Sequence, residues 1–279
     1  MSISPSYSQT LGLKLLQSIV EAHGPLFTLD QARVLAASQD LEPSQVVQKL
    51  SALTRGGWIV RLKRGLYAVQ SPLFTGELHP FAIATTLIQP AAISHWSALA
   101  HHGMTTQIPS MVQVSTPHKV VTPEMRNGQA YRPRGRAVWK VLDVEIEFIQ
   151  VKPAHFFGFV QEWVSAWHRV AISGKERTSL DMLAYPEIFG GVTIALEMFE
   201  SQCSNIDITR LVEYALRYDI GSVIKRLGWM LETIGVPESF LEPLQAYPVQ
   251  NDYPLDPQRP REGARSTRWR VINNLYQSQ

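Results

Sequence analysis

Pro43-Ser44-Gln45-Val46-Val47-Gln48-Lys49-Leu50-Ser51-Ala52-Leu53-Thr54-Arg55, then Gly56-Gly57, then Trp58-Ile59-Val60-Arg61-Leu62-Lys63-Arg64-Gly65-Leu66-Tyr67-Ala68-Val69, is the stretch on which the fold turns. In its first half Val46, Val47, Leu50 and Leu53 recur at helical spacing. Proline opens the run, where a missing N–H costs nothing, and two glycines close it. The second half is two β-prone runs joined at Lys63-Arg64-Gly65, a hairpin with glycine in the turn. The outer face of the helix carries Ser44, Gln45, Gln48, Lys49 and Arg55, side chains that suit base edges and adjacent phosphates. Arg61, Lys63 and Arg64 make the hairpin basic.

Upstream, Leu11, Leu15, Ile19 and Val20 mark a first helix that His23-Gly24-Pro25 stops. Thr28 is placed to cap a short second helix with Ala32, Leu35 and Ala36 on its apolar side. Three short helices followed by a hairpin is the order of a winged helix-turn-helix, in which the third helix enters the major groove and the hairpin lies along the backbone. Residues 1–75 are therefore expected to form such a DNA-binding domain, with Arg61, Lys63 and Arg64 on phosphates. The alternative is a protein-interaction module of the same shape whose charges are merely solvated.

Downstream, Pro72 to Pro80 reads as a linker. Residues 80–279 are expected to form a second, mixed α/β domain: helices near Phe81–Leu87 and Ser94–His102, strands at Met111–Ser115 and Val144–Ile149, and a helical bundle from Ser179. The fold class is α+β. Lys119 to Arg136 reads as a hairpin or loop in which Arg132 and Arg134 could add backbone contacts. Arg177 and Asp181 stand four apart, an ion pair contributing a few tenths of a kcal/mol if it lies on the surface. From Tyr247 (about 247–279) the chain reads as a basic, weakly ordered tail, with Arg265 and Arg268 as further candidates for phosphate contact and Trp269 and Tyr276 as anchors.

The composition narrows the function. Of 279 residues 45% are hydrophobic and 18% charged, so folded cores are expected, and the net charge of +2 makes any nucleic-acid signal local. A single cysteine, Cys203, leaves no intrachain disulfide and fits a reducing compartment. Neither a secretory leader nor a long apolar run is legible, so a cytoplasmic protein without membrane attachment is expected. Neither a phosphate-cradling GxxxxGK[ST] loop nor a GxSxG elbow occurs.

His95, His101, His102 and His118 lack metal-ligand spacing, and adjacent His101 and His102 are expected to point apart on a helix. The enzymatic alternative is a metal-dependent nuclease built on Asp143, Glu145 and Glu147 with Lys152 nearby. The same alternation describes the wet side of an edge strand, and the preferred reading has no catalytic residue, cofactor or metal.

Short motifs in a fixed order then point to a family. They are Arg61-Leu62-Lys63-Arg64-Gly65-Leu66-Tyr67; Ile93-Ser94-His95-Trp96-Ser97-Ala98-Leu99 with His102-Gly103; Lys175-Glu176-Arg177-Thr178-Ser179-Leu180-Asp181; Pro186 with Gly190-Gly191; and Lys225-Arg226-Leu227-Gly228-Trp229-Met230-Leu231-Glu232. In these the chain resembles the AbiEi-type antitoxins of type IV toxin-antitoxin systems. The resemblance implies a transcriptional autorepressor that recognises inverted repeats in its own promoter. It also implies a second domain that counteracts a nucleotidyltransferase-like toxin without a stable complex.

Overall fold

The computed structural model describes residues 7–71, 78–128 and 135–275. It opens with α1 (Tyr7–His23), β1 (Leu26–Thr28), α2 (Leu29–Ala37), α3 (Pro43–Arg55), β2 (Ile59–Lys63) and β3 (Leu66–Val69). Gly24, at φ 75°, turns the chain out of α1. Thr28 caps α2, its hydroxyl accepting from the Gln31 amide while Gln31 reaches back to the Thr28 N–H, so two orphan donors are satisfied at once. Leu15, Leu16, Ile19, Phe27, Ala32, Ala36, Val46, Leu50, Leu53 and Ile59 close a small core. The sheet order is β1-β3-β2, antiparallel throughout, with Leu26 opposite Ala68 and Arg61 opposite Tyr67. The expected two-stranded hairpin therefore gains a third strand.

A six-stranded mixed sheet follows. Its elements are α4 (Pro80–Leu87), β4 (Ala92–Ile93), α5 (His95–His101), β5 (Val112–Thr116), α6 (Pro123–Arg126), β6 (Ala137–Val141), β7 (Val144–Gln150), β8 (Phe159–Trp163) and β9 (Arg169–Ser173). The strand order is β6-β7-β5-β4-β9-β8, with β5/β7 and β4/β9 parallel and the other neighbours antiparallel. Leu26, Leu62, Leu66 and Ala68 of the first sheet share one core with Ala82, Leu87, Ile93, Val114, Ile146 and Ile172. The N-terminal unit is thus packed onto the second. Trp167, in the β8–β9 turn, seals this seam: a Cβ on Gly24 would meet the indole at 2.5 Å.

The helical part comprises α7 (Lys175–Ala184), α8 (Val192–Gln202), α9 (Ile208–Tyr218), α10 (Gly221–Thr233) and α11 (Glu238–Ala246). The chain then forms β10 (Tyr253–Pro254), β11 (Ala264–Ser266) and β12 (Val271–Asn273), in the order β10-β12-β11. The expectation of a weakly ordered tail is corrected: Trp269 is fully buried in a slot over Gly228, where a Cβ would lie 2.0 Å from the ring. The α+β class stands. Among the described residues no helix is long and apolar enough to cross a membrane.

Candidate nucleic-acid interface

The side chains of α3 divide by the arithmetic of the helix. Val46, Leu50 and Leu53 are buried, but Val47, expected on the inward face with them, is exposed; Ser44, Gln45, Gln48 and Arg55 are exposed and Lys49 is half-buried. With a rise of ~1.5 Å per residue, Ser44 and Arg55 mark out a polar ridge roughly 17 Å long. Gln45 has a second duty: its Oε1 accepts from the Glu42 amide at 3.0 Å, so its carbonyl end is committed to the start of α3. The spacing of Glu42 and Gln45 could have announced that capping pair.

The hairpin distributes its cations unequally. Arg64 is exposed at the turn, where Gly65 adopts φ 77°, and Arg61 is exposed with its Nε donating to the Lys63 carbonyl at 3.3 Å. Lys63 is different. Its Nζ donates to the Leu87 carbonyl at 2.6 Å and the Thr86 carbonyl at 3.4 Å, which satisfies the open C-terminal end of α4. Burial there pushes the Lys63 ammonium pKa down. Lys63 is thus placed on the seam between the two units, its ammonium group on the α4 carbonyls.

Arg132 and Arg134 lie outside the described residues, as do Tyr276 and most of the expected linker. Arg268 pairs with Glu232 at 2.6 Å and with Glu238, so it is an internal clamp and not a free cation. Arg265 is 72% exposed, 3.9 Å from Asp252.

The carboxylates of the nuclease reading do not converge. Glu147 is buried, accepting from Gln113 Nε2 at 2.7 Å, with Arg136 at 3.8 Å. Glu145 pairs with Lys140 at 3.3 Å on the surface, and with Asp143 it lines a cavity of about 370 Å³ that also touches His79 and His101. Among the described residues these acids form no three-ligand cluster.

One histidine expectation is overturned. α5 ends at His101, so His102 is past the helix and the two rings lie 5.3 Å apart instead of diverging. His95 is fully buried at φ 53°, its Nδ1 2.8 Å from the Ser94 hydroxyl, and desolvation pushes its pKa down to about 4. His118 is exposed after β5.

No protein-family model matches the chain, and no curated protein matches it. Among solved structures, the fold is similar to that of the RV2827C protein from Mycobacterium tuberculosis, with 15% sequence identity and a TM-score of 0.61 over 97% of this chain and 92% of that one.

Proposed function

We propose that the N-terminal unit is a winged helix-turn-helix that binds double-stranded DNA. In this reading α3 enters the major groove and the β2–β3 hairpin follows the phosphates. One observation carries it: an exposed polar ridge of Ser44, Gln45, Gln48 and Arg55 stands on the same packed unit as the exposed hairpin arginines Arg61 and Arg64. Side chains with paired donors and acceptors read base edges, whereas arginines hold the backbone. Lys49 supplements the ridge, and Lys63 positions the hairpin.

The wider role we propose is autorepression of the chain's own operon as the antitoxin of a type IV toxin-antitoxin system, in the cytoplasm, opposite a nucleotidyltransferase-like toxin that it does not stably bind. Its support is the ordered set of motifs at Arg61–Tyr67, Ile93–Leu99, Lys175–Asp181 and Lys225–Glu232. DNA from upstream of the coding sequence tests the first part: the wild type retards it. Gln48→Ala loses about 10-fold in preference for it over unrelated DNA, the effect of one lost base-edge contact. Equal binding to both DNAs by the wild type contradicts sequence-specific repression. Rescue of growth on co-expression with the neighbouring nucleotidyltransferase-like gene tests the second part, and continued toxicity contradicts it.

A further inference from the structure

The end of α5 and the outer strand β8 bring together a group of side chains that the DNA reading does not use. One ring nitrogen each from His101 and His102 and one carboxylate oxygen of Glu162 all lie within 4.8 Å of one another. His101 Nε2 donates to Glu162 Oε2 at 2.6 Å, so the two groups already face each other and an ion at Nε2 would take the place of the proton they share. His102 Nε2 donates to the Ser173 carbonyl at 2.6 Å. That bond fixes the neutral tautomer and leaves the lone pair on Nδ1. It is also the arrangement of a metal-ligating histidine, whose second nitrogen is held by a carbonyl or carboxylate behind it.

We propose that His101, His102 and Glu162 form a binding site for a divalent transition-metal ion of the Zn²⁺ class, which ties the end of α5 to the edge of the six-stranded sheet. Two imidazoles and a carboxylate are borderline donors that suit zinc, whereas Mg²⁺ and Ca²⁺ prefer all-oxygen shells. Tetrahedral ligands ~2.1 Å from zinc lie about 3.4 Å apart, so the donors reach that geometry by shifts of roughly 1 Å at the ends of rotatable side chains. The His101–Glu162 contact opens from 2.6 Å, and His102 lies within the 4.8 Å that bounds the group. The side chains of His101 and Glu162 are 28% and 38% exposed, so solvent reaches the site and water supplies the fourth ligand. Sequence spacing hides this set because Glu162 comes from a different element, and because the helix stops between the two histidines.

The test uses the full chain, stripped with a chelator and titrated with Zn²⁺ alone by calorimetry. The expected result is one ion per chain, weakened in Glu162→Gln and in His101→Gln by more than the ~10- to 100-fold that loss of an outer partner costs. Zinc competes with protons for the imidazole nitrogens, so acid weakens binding. Both substituted side chains are partly exposed, and unchanged circular dichroism verifies their folding. X-ray absorption on the zinc-loaded wild type reads the site without any variant: two imidazoles with oxygen donors support it, and a sulfur ligand places the ion at Cys203 and overturns it. Absence of stoichiometric binding, or equal binding by both variants, also overturns it and leaves His101–Glu162 an ordinary ion pair.

Discussion

Arg177 and Asp181 form an ion pair inside the protein: Arg177 Nη2 lies 2.8 Å from Asp181 Oδ1, and the side chains are 1% and 0% exposed. The guanidinium also donates to the His155 carbonyl at 2.6 Å and lies 5.0 and 5.1 Å from the Phe157 and Tyr218 ring centres. The spacing that would give a few tenths of a kcal/mol on a surface helix therefore describes a buried charge pair joining α7, α9 and the segment after β7. Removing one partner of such a pair leaves an uncompensated charge, at a cost of about 3–5 kcal/mol. Asp181→Ala is expected to lose that much in urea unfolding. A loss under 1 kcal/mol means the pair is not buried as described.

Stability is expected to fall with acid in a definite window. His95 binds its proton near pH 4 in the folded chain and near 6.5 when unfolded. Between those values the unfolded state holds more protons, so stability rises with pH through the window and is fully present above about 6.5. The depressed pKa corresponds to roughly 3 kcal/mol lost by pH 4. His102, His155 and His168, also lowered by burial, act in the same direction. Thermal melts from pH 7 to 4 check this. His95→Asn, a residue that tolerates the left-handed backbone, flattens the profile. An identical profile in that variant contradicts the assignment.

Gly228→Ala is expected to destabilise the chain by at least about 1–3 kcal/mol, because the new methyl would overlap the Trp269 ring and overpacking forces it out of its slot. Urea unfolding followed by tryptophan fluorescence reads both effects. Unchanged stability would show that the C-terminal strands are not docked on α10.

What could be read from the sequence and what could not follows from the range of the interactions. α3 and the β2–β3 hairpin were legible because periodicity, a proline and glycines are local. β1 escaped because three residues carry no period, and its pairing with β3 is settled by the fold. The β8–β9 hairpin escaped because the residues of β8 are exposed or half-buried without the alternation that marks a half-buried strand. The tail read as basic and weakly ordered because its arginines find acids that spacing does not reveal, Arg268 on Glu232 of α10 and Arg270 on Asp252 just before β10. Lys63 looked like a free cation because its carbonyl partners belong to α4. The motifs behind the family resemblance are largely scaffold: Trp96 Nε1 donates to the Ile188 carbonyl, Lys225 to Leu244 and Gln245, and Arg226 to Pro254.

Lys63→Met separates anchoring from DNA contact. Losing the hydrogen bonds to α4 is expected to cost about 1–2 kcal/mol of stability. The salt dependence of DNA binding, measured well below the melting temperature, stays as in the wild type. A flattened salt dependence would return Lys63 to the phosphate-contacting set.

DNA binding by α3 and the hairpin is tested most directly by the slope of log affinity against log salt, measured by fluorescence anisotropy on upstream DNA for the wild type and for Arg61→Ala/Arg64→Ala. Each phosphate contact contributes ~0.9 to that slope, so the double variant is expected to be shallower by roughly 1.8 and weaker on every DNA sequence. The same slope in both proteins, or no binding by the wild type, would contradict the interface.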